Sequence, residues 1–190
     1  DSAVDSAGPG DPVQTDGAQR HFVERLLVGS GTPLLFVPHV DTLPLQTDGA
    51  PPCGQRVLVA WSPSRETVRA LRDALPLLAA ASRVELIRFA PATEATPEPL
   101  EPVLAHLLRH GIAATATVRH TPAPSLGERL LSTWTVDVPI AEALLSHAAD
   151  TDADLLVMGG YGHPRAWELT LGGVTRTMLQ TMTLPVLMSH

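Results

Sequence analysis

The residues of this chain whose types and spacing could do chemistry lie in one run near the carboxy terminus. It reads Gly159-Gly160-Tyr161-Gly162-His163-Pro164-Arg165 and closes on Gly172-Gly173-Val174-Thr175. The run follows an apolar strand pattern and opens a helix pattern, which is where a parallel sheet exposes main-chain amides and a helix dipole to an anion. Glycine suits such a cradle because an absent side chain lets a phosphate reach the main-chain nitrogens and permits positive φ. Arg165 offers a charge partner for phosphate, against the alternative of a plain surface arginine. His163 could meet the same phosphate, against the alternative of a solvated loop histidine. Thr175 is the nearest spare hydroxyl.

Elsewhere the residue types exclude more than they suggest. All 13 basic residues are arginine, so no lysine serves a Walker-type phosphate loop, a Schiff base or a general base. Cys53 is the only cysteine, which excludes an internal disulfide and a cysteine-based zinc site and fits a reducing compartment, the cytoplasm. His106, His110, His120 and His147 lack a metal-like grouping with carboxylates and are expected on solvated helix faces or loops. Met178 and Met182, at helical spacing, read as core, and Trp61 either completes a core or stacks on a base. The net charge of −7 gives no basic surface for nucleic acid or an anionic membrane, so neither is an expected partner. No run approaches the ~20 apolar residues of a membrane helix, and the start lacks a signal-peptide pattern. The chain begins at Asp1 without a methionine, as a piece of a longer product would.

The elements that must position the glycine run follow from periodicity. With 190 residues, 44% apolar, the chain can bury one full core with an appendage. Residues 1–19 read as loop. Phe22, Val23, Leu26 and Leu27 share a helical face, Gly29 and Gly31 stop that helix, and Pro33 to Pro38 reads as a buried strand. Val40 to Gly54 reads as a linker. From Arg56 strand and helix patterns alternate, which predicts a parallel sheet with crossover helices. The strands are Val57–Trp61, Val84–Phe89, Ile112–Val118, Asp154–Met158 and Leu184–Met188. The first helix is capped by Ser64 and shows a stripe of Val68, Leu71, Leu75 and Leu78. The second, Pro97–His110, turns Leu100, Val103, Leu104, Leu107 and Leu108 inward and stops at Gly111. Residues 120–136 suggest a loop with a packed helical turn. Helices from Asp137 to Ala149 and from Gly173 to Met182 complete the set. Placing Pro33 on Pro185 aligns Leu34-Leu35-Phe36 with Val186-Leu187-Met188, so a helix-to-strand unit recurs at the two ends of the chain, unless two amphipathic units match by chance.

The glycine triplet Gly159, Gly162 and Gly172, spaced by two and nine residues, resembles the signature of the universal stress protein family. The flanking Ala153–Met158 and Leu184–Met188 resemble that family's last two strands, and the likeness covers about Arg56 to His190. The resemblance implies an open, doubly wound five-stranded sheet of order 3-2-1-4-5. An adenine-nucleotide crevice would lie where its strands one and four diverge. Carried onto this chain, the implied contact residues are Ala60, Trp61, Ser62, Met158, Gly159, Gly162, His163, Arg165, Gly172, Gly173, Val174 and Thr175, with ATP or AMP as the candidate ligand. The amino-terminal unit resembles the end of a preceding half. Residues 1–54 then read as its remnant plus linker, and 55–190 as the domain.

Two departures bear on function. Nucleotide-binding members carry a hydroxyl residue after the last glycine, where this chain has Gly173. They also carry an aspartate near the end of the first strand, where this chain has Ser62. A hydrogen bond to a charged group contributes about 1.5 to 3 kcal/mol, so two losses move a micromolar site towards millimolar. The expected function is a stress-response regulator with weak or absent nucleotide binding, acting as a homodimer through the last strand. The alternatives are an adenine-nucleotide hydrolase of related fold and a purely structural half of a tandem protein. Within one chain or across two, Leu34–Val37 is expected to pair with Val186–Met188.

Overall fold

The computed structural model describes residues 22–23, 25–38, 53–91, 99–121, 137–160 and 173–190. Its strands are β1 (Leu34–Phe36), β2 (Arg56–Trp61), β3 (Arg83–Pro91), β4 (Ala114–Thr121), β5 (Leu155–Gly159) and β6 (Val186–Ser189). Four helices are α1 (Arg65–Ala80), α2 (Glu101–Arg109), α3 (Asp137–Asp150) and α4 (Gly173–Thr181). Residues 22–23 and 25–29 add a helical segment ahead of β1. The expected packed turn within 120–136 lies, from residue 122 on, outside the described residues.

The strands form one sheet of six, in the order β1-β6-β5-β2-β3-β4, not the five expected for the domain alone. The extra strand is β1, which runs antiparallel to β6 within the same chain. The other five are parallel and, numbered from β2, read 3-2-1-4-5 from the β4 edge. Consecutive strands β2, β3 and β4 wind one way from β2 and β5 and β6 wind the other, so the switch point lies between β2 and β5.

Strands β2, β5 and β6 are near-continuous apolar runs because both faces of the sheet are covered. Val57, Val59, Val157 and Leu187 pack under α1 and α2, whose Leu71, Leu78 and Leu107 complete that core. Leu58, Ile87, Leu156, Val186 and Met188 face the other way, against Leu144 of α3, Met178 of α4 and Leu27.

Three expected faces are corrected. Helix α1 buries Thr67, Ala70, Leu71, Ala74 and Leu78, while Val68 is 53% exposed. The alanines decide it, since small residues bring a helix closest to a sheet, and large apolar side chains alone misplace the stripe. In α2, Leu107 is buried but Leu108 is 67% exposed, one residue round the helix. The amino-terminal helical face contributes only Leu27, at 2% exposure; Phe22 and Leu26 face solvent. Strand β1 is half covered, not buried, because it ends the sheet: Leu34 and Phe36 pack on the α3–α4 side and Leu35 is 48% exposed. Gly31 and Gly111, at φ +65 and +76, end their helices in the left-handed region as expected.

Candidate functional site

The switch point sets the carboxyl end of β2 beside that of β5, with Ala60 in register with Met158. Directly after β2, Ser64 caps α1 by accepting from the Thr67 amide at 3.2 Å. Ser62 Oγ lies 2.9 Å from Thr67 Oγ1, and Ser64 Oγ donates to Thr67 Oγ1 at 3.1 Å, so three hydroxyls close on one another at the helix start. Directly after β5, Gly159 backs onto the same turn. A Cβ there would come within 2.6 Å of the Thr67 nitrogen and 2.8 Å of the Glu66 carbonyl carbon. The first glycine of the signature is therefore required by the approach of α1 to β5, before any ligand is considered.

The next residue is held from three directions. Gly160 N donates to Ser189 O at 2.8 Å, and Gly160 O lies 3.2 Å from His190 Nδ1. A Cβ on Gly160 would meet Leu27 Cδ2 at 2.6 Å, so the amino-terminal helical segment is seated on the start of the glycine run. Arg69 of α1 donates to Gly31 O at 2.8 Å and fastens that segment from the other face. Ser189 Oγ donates to Asp73 Oδ2 at 2.8 Å, tying β6 to α1.

The sequence-derived contact residues divide. Ser62 and Gly159 meet around Thr67, and Ala60 and Met158 lie at the switch point. Met158 is buried, with Ala60 and Val174 partly buried in the core under α3 and α4. Trp61 packs on the opposite core, under α1 and α2, so its side chain completes a core. Gly173 and Thr175 are buried in the first turn of α4. Gly162, His163, Arg165 and Gly172 lie outside the described residues. Thr67 was not singled out from sequence, and Gly160 and Leu27 were read there only as part of the glycine run and of a helical face. The hydroxyl at Thr67, three residues after a serine cap, was the signal available.

A buried polar cluster overturns the expectation that His147 is solvated. His147, on the apolar face of α3 with Leu144 and Ala148, places Nε2 2.9 Å from Glu85 Oε1. Arg119 NH2 lies 3.3 Å from His147 Nδ1, and arginine only donates, so Nδ1 accepts and Nε2–H donates to Glu85. Thr117 Oγ1 donates to Glu85 Oε1 at 2.8 Å and Arg83 pairs with Oε2 at 3.4 Å. Burial pushes the Glu85 carboxyl up. The hydrogen bonds from Thr117 and His147, with the charge of Arg83, outweigh it and leave a net downward shift. The signal in the sequence was an acid inside the apolar run Val84–Phe89.

Of the two acids near the glycine run in sequence, Glu168 lies outside the described residues and Asp154 is placed away from the crevice. Asp154 sits at the amino end of β5 and accepts from the amides of Gly54, Gln55 and Arg56 at 3.0, 3.1 and 2.9 Å. Burial, then the Asp154 charge, pushes the Cys53 thiol up, which disfavours a thiolate nucleophile. No group of three metal-ligating side chains occurs among the described residues. No helix among them is long and apolar enough to cross a membrane.

The chain matches the family model described as "Universal stress protein family" over residues 54–190, more than half of its length. In fold it is similar to a universal stress protein from Archaeoglobus fulgidus, at 17% identity and TM-score 0.50, over 70% of this chain and 96% of that one. It is also similar to a universal stress protein from Archaeoglobus fulgidus DSM 4304, at 19% identity and TM-score 0.58, over 87% of this chain and 53% of that one. A universal stress protein solved in complex with cAMP is matched at 21% identity and TM-score 0.45, over 72% of this chain and 96% of that one. No curated protein matches.

Proposed function

The chain belongs to the universal stress protein family, and from that premise we propose that it is a non-enzymatic, cytoplasmic stress-response regulator whose crevice between β2 and β5 binds adenine nucleotide weakly or not at all. The observation that carries this reading is the closed hydroxyl set at the head of the crevice. Ser62, where the resemblance calls for an aspartate, turns its hydroxyl onto Thr67. A ligand hydroxyl meets at Ser62 a neutral group already in contact with Thr67, whose hydrogen bond contributes about 0.5 to 1.5 kcal/mol net, against about 1.5 to 3 kcal/mol for a bond to a carboxylate. With Gly173 in place of a hydroxyl residue, the phosphate end depends on main-chain amides. Asp154, engaged at the far end of β5, does not serve a hydrolase chemistry in the crevice, which supports the regulatory reading over the hydrolase one.

Calorimetry with ATP, and separately AMP, tests the reading. The expected dissociation constant lies above about 10 μM for both. A tighter constant for either shows that backbone amides suffice and sinks the weak-binding reading. We propose further that residues 1–54 are the remnant of a preceding half plus linker and 55–190 the domain. The recurrence of a helix-to-strand unit and the pairing of β1 on β6 support it.

A further inference from the structure

Two histidines that the candidate site does not use face each other at the end of α2. His106 and His110 stand four residues apart, the spacing that sets two side chains one above the other on a helical face. The local fold keeps them aligned where a helix end could splay them. His110 is the C-cap, yet its φ of −90 and ψ of 9 stay close to the helical region, and its amide bonds back to Leu107 O and Leu108 O. Gly111, at φ +76, turns the chain away only after that, its amide donating to Leu108 O at 2.9 Å. The two ring centroids come to 4.8 Å, with the ring planes at 63°. Leu107 carries the buried face of the helix, while His106 is half-buried and His110 exposed.

From this we propose that His106 and His110 form a two-histidine chelate for a late first-row divalent cation, copper or zinc, at the carboxyl end of α2. Each neutral imidazole offers one unprotonated nitrogen, and imidazole suits these metals. Two nitrogens bound to one zinc ion, each about 2.0 to 2.1 Å from it, lie within about 4 Å of each other. Rings with centroids 4.8 Å apart reach that separation by turning about their Cβ–Cγ bonds. Water fills the remaining positions, so the site is open and has two protein ligands. The helix adds an attraction of its own, because the free carbonyls of its last turn make that end negative. Arg109 does not share the face, since adjacent residues on a helix point apart. The site is independent of the crevice between β2 and β5.

Other described histidines are committed elsewhere. His147 is held by Glu85 and Arg119, and His190 lies against Gly160 O. The chelate acts as a unit. Once one ring holds the ion, the second meets it at a high effective concentration, so losing either ring forfeits most of the affinity and losing both forfeits little more. Copper binds nitrogen ligands more tightly than zinc does, and magnesium, which takes oxygen ligands, has no place here.

The test uses the full chain, with zinc, copper or magnesium chloride as the only added ligand. In protein isotope-labelled at the histidine rings, substoichiometric zinc is expected to shift the nuclear magnetic resonance signals of His106 and His110 together, ahead of every other histidine, and magnesium to shift neither. Calorimetry should show copper binding more tightly than zinc. His106→Gln and His110→Gln should each weaken zinc binding about tenfold or more, with the double variant little weaker than either. Leu108→His combined with His110→Gln keeps the count at eight histidines but sets the pair two residues apart, on different faces. Because Leu108 is 67% exposed the fold tolerates it, and this variant is expected to bind no better than His110→Gln alone. The proposal is overturned if zinc shifts other histidines first, or if magnesium gives the same shifts. It is also overturned if either single variant binds zinc as the unmodified chain does, or if the displaced pair binds as tightly as the native one. The ring shifts are read on the unmodified chain and decide the matter even where a variant fails to fold.

Discussion

Glu85 shows how a single buried charge is made tolerable. It receives a hydroxyl from β4, an imidazole N–H from α3 and a guanidinium from its own strand. Glu85→Gln weakens all three, and loss of a buried partner costs about 1 to 3 kcal/mol, which urea denaturation at neutral pH should read as a lower midpoint. The pH dependence follows from the direction of the shift. The folded pKa lies below the ordinary value of 4.5, so the carboxylate's contribution is fully present above that value and is lost as pH falls through the folded pKa. The difference between wild type and Glu85→Gln should therefore be constant from neutral pH to about 4.5 and narrow below it. A difference that widens with acid would contradict the assignment.

At the scale of elements, the glycine run is packed from both sides, and the two glycines should respond differently to a methyl group. Gly159→Ala drives Cβ into the backbone of α1, which cannot yield cheaply, so overpacking of 1 to 3 kcal/mol or more is expected. Gly160→Ala meets only the end of the Leu27 side chain. Its cost should fall in a Leu27→Ala background, giving a double-mutant coupling of about 0.5 to 3 kcal/mol. Additive effects would show that the amino-terminal segment is not seated on the run. The signature spacing picked out Gly159 as a cradle residue, and spacing could not reveal that α1 already claims it, because that contact joins residues far apart in the chain.

At the scale of the whole molecule, Asp154 closes the sheet at the end opposite the crevice. Its carboxylate gathers three amides from residues about a hundred positions earlier, which fixes the start of β2 against the start of β5. Asp154→Ala removes acceptors from all three, and at 1.5 to 3 kcal/mol for a bond to a charged group the fall in stability should exceed that of a typical surface substitution. A change within ±0.5 kcal/mol would show that water replaces the carboxylate. Much of this architecture was determined by the sequence itself. Strand–helix alternation from Arg56 fixes a parallel sheet, the glycine triplet marks the turn after β5, and the apolar Leu34–Phe36 run demands an edge to pair with. These are local patterns, and hydrophobic periodicity is a local property. The tertiary structure alone decided which face of α1 is inward, that His147 is buried against Glu85, that Leu27 sits on Gly160 and that β1 runs antiparallel to β6 with Leu35 opposite Leu187. Each of those depends on how closely two distant segments approach, which is set by side-chain volume and the satisfaction of polar groups across the fold rather than by order along the chain.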